Sequence, residues 1–130
     1  MKKWILILII CLALSFTAIS KTKVTVWFAG TPEALMEAVD DHLVPAFEKA
    51  NPDIELAVEY IPWGELSTKL TTAFAGGIGP DIFMHGQAAI AGFAETGVIM
   101  DIDSLIDKLE DPEDFGGTLG VGLYRGKNFM

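Results

Sequence analysis

Apolar and polar positions along this chain change period several times, and each change marks an element. Residues 23–29, Lys-Val-Thr-Val-Trp-Phe-Ala, are rich in β-branched and aromatic side chains and apolar on both faces. That pattern predicts a central parallel strand covered by helices on both sides. Gly30-Thr31-Pro32-Glu33 follows, with a turn glycine, Thr31 as N-cap, Pro32 at the first helical position and Glu33 near the positive end of the helix dipole. Leu35, Val39, Leu43, Phe47 and Ala50 then recur at spacings of three and four, opposite Glu37, Asp40, Asp41 and Glu48, which predicts an amphipathic helix. Pro45 calls for a kink or restart within it.

After Asn51-Pro52 the period becomes two. Ile54, Leu56, Val58 and Tyr60 alternate with Glu55, Ala57 and Glu59, predicting a strand with one polar face, nearer the sheet edge. Pro62-Trp63-Gly64 reads as a short loop, after which Leu66, Leu70 and Phe74 sit four apart on a helix, where Glu65 and Lys69 are spaced for an exposed ion pair. The glycines from Gly76 to Gly79 and Pro80 end that helix. Asp81 to Met84 predicts a third, short strand. His85-Gly86-Gln87 turns into a helix carrying Ile90, Phe93 and Ala94, stopped by Gly97, and Asp103 is placed to cap a last short helix, 104–109.

The sum is β-α-β-α-β-α with a repeat of about thirty residues, the length that a strand, crossover helix and two turns require. The fold class expected is α/β, a parallel-type sheet with flanking helices. In such sheets ligands gather outside the carboxyl ends of the strands where the winding reverses. Those ends are Gly30-Thr31-Pro32, Pro62-Trp63-Gly64 and His85-Gly86-Gln87, and a strand order 2-1-3 makes the first and third loops neighbours.

The N-terminus follows another logic. Lys2 and Lys3 precede an apolar run of eleven residues, Trp4 to Leu14, too short at ~1.5 Å per residue to cross a ~30 Å hydrocarbon layer. Ala18-Ile19-Ser20 has small residues where signal peptidase reads, so residues 1–20 are expected to be a signal peptide cut after Ser20, with an uncleaved anchor as the alternative. Cys11 lies inside the run without a lipobox before it. Removing 1–20 takes away two lysines, no acid and the single cysteine, so the net charge of -9 becomes -11. A thiol-free acidic chain suits an oxidising compartment and excludes partners held through phosphates, nucleic acid above all.

Catalytic motifs are absent from the sequence: no Gly-x-Ser-x-Gly, no His-Glu-x-x-His, no phosphate loop. His42 and His85 are too far apart for a local metal motif, and neither metal nor cofactor is expected. Gly117, Gly120 and Gly122 miss the dinucleotide spacing and read as a flexible connection. Of the groups at the strand ends, Trp63 is either a platform for a ligand or a lid over the local core. His85 is either a ligand contact or a structural histidine. Thr31 and Gln87 are either ligand contacts or helix caps. Trp27 reads as core.

Four stretches together resemble a known family: Val24-Thr-Val-Trp-Phe28, Pro45-Ala-Phe-Glu-Lys-Ala-Asn-Pro52, the run from Lys69 through Ala75-Gly-Gly-Ile-Gly-Pro-Asp-Ile82, and Gly92-Phe-Ala-Glu-Thr-Gly-Val-Ile-Met-Asp-Ile102. They resemble the extracellular solute-binding proteins of ABC importers, in the carbohydrate-binding group of the maltose type. The resemblance implies a two-lobed protein outside the cytoplasmic membrane that binds a sugar between its lobes, without acting on it, and presents it to permease subunits. It also implies a monomer whose closure is what the transporter senses.

By that resemblance first-lobe contacts fall on Gly30 to Glu33 and on His85 to Ala88, His85 standing where the maltose type has a stacking aromatic. Ala88 stands where that type has a carboxylate, which argues against a maltose-like specificity, although the amide of Gln87 is adjacent. Ligand-binding candidates are thus Gly30, Thr31, Glu33, Trp63, His85 and Gln87. Leu123 to Phe129 resembles the family's strand after a Tyr-x-Gly-Lys turn. The family is several hundred residues long, so 21–130 is expected to be a partial N-terminal lobe. Three rivals remain at this point: a binder of another small polar solute on the same fold, a secreted carbohydrate-active enzyme using a carboxylate pair, and a nonfunctional gene remnant.

Overall fold

Strand β1, Thr22–Ala29, is the middle of a three-stranded sheet of order β2-β1-β3, with β2 at Ile54–Ile61 and β3 at Ile82–Phe83. This computed structural model describes residues 20–108 and 120–129. Val26 pairs with Ile82 and Trp27 with Phe83 in parallel register. On the other side Thr22 N–H donates to Asp53 O and Gly30 N–H to Ile61 O, the same offset at both ends, as parallel strands require. The order, the direction and the central position of β1 are those the patterning predicts. Val26 and Trp27, neighbours whose side chains point to opposite faces, are both buried.

The described chain divides into two units, residues up to Val24 with Glu33–Ala57, and Thr25–Pro32 with residues from Val58 on. In the first unit, α1 spans Glu33–Glu37, a π-helical stretch spans Ala38–Leu43, and α2 spans Val44–Ala50 with Pro45 in its first turn. The expected restart is there, and its cause is visible. Pro45 has no N–H to continue the ladder, and just ahead of it Val44 N–H reaches back five residues to Val39 O instead of four. Two expectations need correcting. α1 opens at Glu33, so Pro32 takes the cap position and Thr31 lies outside the helix. Of the apolar stripe only Val39 is buried, while Leu43, Phe47 and Ala50 are exposed. In the same unit Glu48 accepts the backbone N–H of Leu56 at 2.9 Å.

The second unit holds the core. Helix α3, Trp63–Ala75, lays Leu66, Leu70 and Ala73 against Trp27, Ala29 and Ile61, and Phe74, Phe83 and Phe93 close the cluster. Leu66 and Leu70 are 0% exposed, as the four-residue spacing leads one to expect. Ile61 corrects the reading of β2. It shares a face with Glu55 and Glu59 yet is 2% exposed, because α3 covers the carboxyl end of that face. Glu59, two residues earlier on it, pairs with Lys69, so the pair expected between Glu65 and Lys69 is replaced by one tying α3 to β2. The Lys69 ammonium also lies 4.5 Å from the centre of a Trp27 ring, a cation–π contact.

Past α3, Gly77 takes φ +67° and the chain turns into β3. Asp81 fastens that turn: its carboxylate accepts the Thr25 backbone N–H at 2.8 Å and the Thr25 hydroxyl at 2.7 Å. A 3-10 turn, Gln87–Ala89, leads into α4, Ile90–Thr96, which ends at Gly97 with φ +69°. α5 covers Asp103–Ile106, shorter than 104–109. Asp103 does not cap it but accepts from Asn128 N and Nδ2. β4, Leu123–Tyr124, and β5, Lys127–Asn128, pair antiparallel across Arg125 and Gly126, both at positive φ as a tight hairpin turn demands. Among the described residues no helix is long and apolar enough to cross a membrane. Residues 1–19 of the expected signal peptide 1–20, the acidic stretch 110–114 and Gly117 lie outside the described residues.

Candidate functional site

Parallel pairing brings the carboxyl ends of the three strands together, and the second unit carries them all. β1 runs out at Gly30, whose N–H holds Ile61 O at 2.7 Å, and Met84 N–H holds Trp27 O at 2.9 Å. Gly30 is buried at φ +91°. A Cβ there would stand 3.1 Å from Trp63 Nε1, so the missing side chain is what lets the indole lie across the end of β1. Trp63 is not in a loop, as its Pro-Trp-Gly context suggests, but in the first turn of α3 with Pro62 at the cap. At 53% exposed it is half platform and half wall.

His85 follows β3 and meets Trp63 edge to face, ring centres 6.4 Å apart at 82°. Behind it stands Phe93 of α4, 5.5 Å away at 74°. Its nitrogens are engaged, Nε2 3.3 Å from Ser67 Oγ and Nδ1 3.3 Å from Gly86 O. Gly30, Trp63 and His85 therefore form one connected cluster. Thr31, next to Gly30, and Gln87, opening the 3-10 turn, are exposed beside it, and neither occupies a helix cap position. Glu33 opens α1 and belongs to the first unit. From His85 and Gln87 a groove of about 940 Å³ continues past Ile82, Ile90, Met100 and Val121, mostly apolar.

Sequence reasoning missed two residues. Ser67 reads as one more polar position on an exposed helix face. Asp81 reads as part of a signature and proves to be a clamp, its carboxyl held below the ordinary carboxylate range chiefly by the Thr25 backbone N–H and next by the Thr25 hydroxyl. A lone acid directly before an apolar strand is the signal that could have found it. Among the described residues no group of three His, Cys, Asp or Glu side chains gathers as a metal cluster would. Chemically, the cluster offers aromatic surface edged with amide and hydroxyl groups, suited to binding an uncharged solute with an apolar face and a polar rim.

Residues 28–126 match the family described as bacterial extracellular solute-binding protein. An ABC substrate-binding protein from Listeria monocytogenes, solved in complex with cycloalternan, is 32% identical with a TM-score of 0.71, over 84% of this chain and 28% of that one. The sugar-binding protein MalE of Xanthomonas citri is 30% identical with a TM-score of 0.72, over 83% of this chain and 27% of that one. A maltotriose-binding protein of Pyrococcus abyssi is 33% identical over 84 residues, 65% of this chain and 18% of that protein. The chain thus spans between a sixth and a third of the length of these relatives.

Proposed function

This chain belongs to the bacterial extracellular solute-binding protein family, and on that premise we propose that it contributes the first ligand-binding lobe, residues 21–130, of the carbohydrate-binding component of an ABC importer. Gly30, Thr31, Trp63, His85 and Gln87 line its side of the ligand site, and permease subunits are its partners. The observation that carries the reading is the half-exposed Trp63 set edge to face on His85 at the joined carboxyl ends of a parallel sheet. An indole in that place stacks on the C–H face of a sugar ring, while the hydroxyls meet Thr31 and Gln87. What the named relatives bind supports a carbohydrate over another polar solute. Their binding character, shared by the family, supports capture without turnover.

Delivery by a leader of residues 1–20, cut after Ser20, completes the reading. Calorimetric titration of the chain with maltotriose, mannotriose and xylotriose tests the ligand class. Binding of at least one, lost in Trp63→Ala, is expected. Binding that survives the loss of Trp63, or a flat response to all three, refutes the site or the ligand class respectively. Mass analysis of the exported chain, with Lys21 as its first residue, tests the leader.

A further inference from the structure

A neutral imidazole has one nitrogen that donates and one that accepts, and neighbouring groups decide which is which. In His85 they differ in kind. Gly86 O, 3.3 Å from Nδ1, accepts and never donates, so Nδ1 carries the hydrogen. Nε2 is then the acceptor, and the group 3.3 Å from it is the Ser67 hydroxyl, which donates. On a helix the ordinary outlet for such a hydroxyl is the carbonyl one turn back. Thr71 and Thr72 of the same helix do that, donating to Ser67 O and Thr68 O. Ser67 is directed to the imidazole.

We propose that Ser67 is a positioning residue of the ligand wall, fixing His85 in the Nδ1–H tautomer with its ring plane set between Trp63 and Phe93. With both nitrogens satisfied inside the protein, His85 presents ring surface and no spare donor. The wall is therefore selective for the C–H face of a solute and indifferent to the configuration of a hydroxyl opposite His85, and hydrogen bonding on this side falls to Gln87. This consequence for ligands rests on the proposed function, whereas the tautomer does not.

The experiment separates the two. The full chain, labelled with ¹⁵N-histidine and carrying His42→Gln so that one imidazole signal remains, is observed by long-range ¹H–¹⁵N correlation at about pH 8, above the usual imidazole range. The Nδ1–H pattern is expected, displaced towards Nε2–H in Ser67→Ala and retained in Ser67→Thr, which keeps the hydroxyl. Ser67 is exposed and alanine is the better helix former, so the alanine variant folds. An Nε2–H pattern in the parent, or a Ser67→Ala spectrum identical to it, overturns the proposal. Affinity for whichever of maltotriose, mannotriose and xylotriose the parent binds should fall about two- to tenfold in Ser67→Ala, the weight of one neutral hydrogen bond, and hold in Ser67→Thr. If the parent chain binds none of maltotriose, mannotriose and xylotriose, the carbohydrate reading fails while the tautomer result still decides the role of Ser67.

Discussion

Replacing Gly30 by alanine perturbs the strand end and the indole at once, and the two effects are separable. Gly30 sits at φ +91°, where an L-residue with a Cβ is strained by about 1–2 kcal/mol. The new methyl would also stand 3.1 Å from Trp63 Nε1 and 3.4 Å from Trp63 Cδ1 and Pro32 Cδ. Trp63 is half exposed and free to retreat a few tenths of an ångström, a displacement off its rotamer worth about 0.5–1 kcal/mol. The sum, about 1.5–3 kcal/mol, corresponds to a fall in melting temperature on the order of 10 °C for a domain of this size. Thermal and urea unfolding followed by circular dichroism measure it in Gly30→Ala, Trp63→Ala and the double variant. Backbone strain persists when the indole is gone, so the double variant should recover about 0.5–1 kcal/mol and no more. A harmless Gly30→Ala would refute the strain. An equal penalty with and without Trp63 would refute the contact that positions the indole.

Leu70→Ala empties a site with no solvent exposure under α3 and should cost about 2–5 kcal/mol in urea unfolding; a loss under about 1 kcal/mol would mean that the cluster does not hold the fold. The Asp81 carboxyl is depressed in the folded state, so its contribution is present above the unfolded value of about 3.9 and disappears as pH falls through the lower folded value. Asp81→Asn should therefore flatten the acid limb of stability against pH, and an unchanged limb would contradict the clamp. On the β4–β5 hairpin the hydrogen bond to Glu95 raises the Tyr124 phenol and that to Asp101 raises the Lys127 ammonium. Both contributions are complete below the unfolded values, about 10, and are lost as pH rises through the folded ones. Hydrogen exchange at residues 123–128 should accelerate there, and Glu95→Gln should remove the tyrosine's part.

The strand order, the parallel direction, the restart at Pro45 and the glycine that stops α4 were legible because each depends on local physics: side-chain period, a missing N–H, a left-handed stop. The family was legible for a related reason, since its specific stretch, Ala75 to Ile82, holds the Gly77 turn and the Asp81 clamp. What escaped were choices made between elements. Lys69 had an acceptable partner four residues away in Glu65 and took Glu59 on β2. Ile61 looked like the polar face of β2 until α3 was laid on it. Asp103 had the position of a cap and was drawn to Asn128, twenty-five residues away. In each case several partners were compatible with local spacing, and tertiary placement selected one.

The same distinction explains why the candidate site was half readable. Its location follows from topology, which patterning gives; its construction follows from an aromatic series that no spacing announces. Phe74, Phe83 and Phe93 meet edge to face at 5.3–6.0 Å, Phe93 meets His85 at 5.5 Å, and His85 meets Trp63 at 6.4 Å. These rings come from α3, β3, α4 and the turn between the last two, so the exposed indole is backed by the interior of the second unit rather than by a loop of its own. A close-packed interior resists displacement, and a stacking surface attached to it meets a solute already in place, with little ordering left to oppose binding. Truncating Phe93, which touches both the core rings and His85, should therefore weaken ligand binding in calorimetric titration by loosening the wall behind the indole.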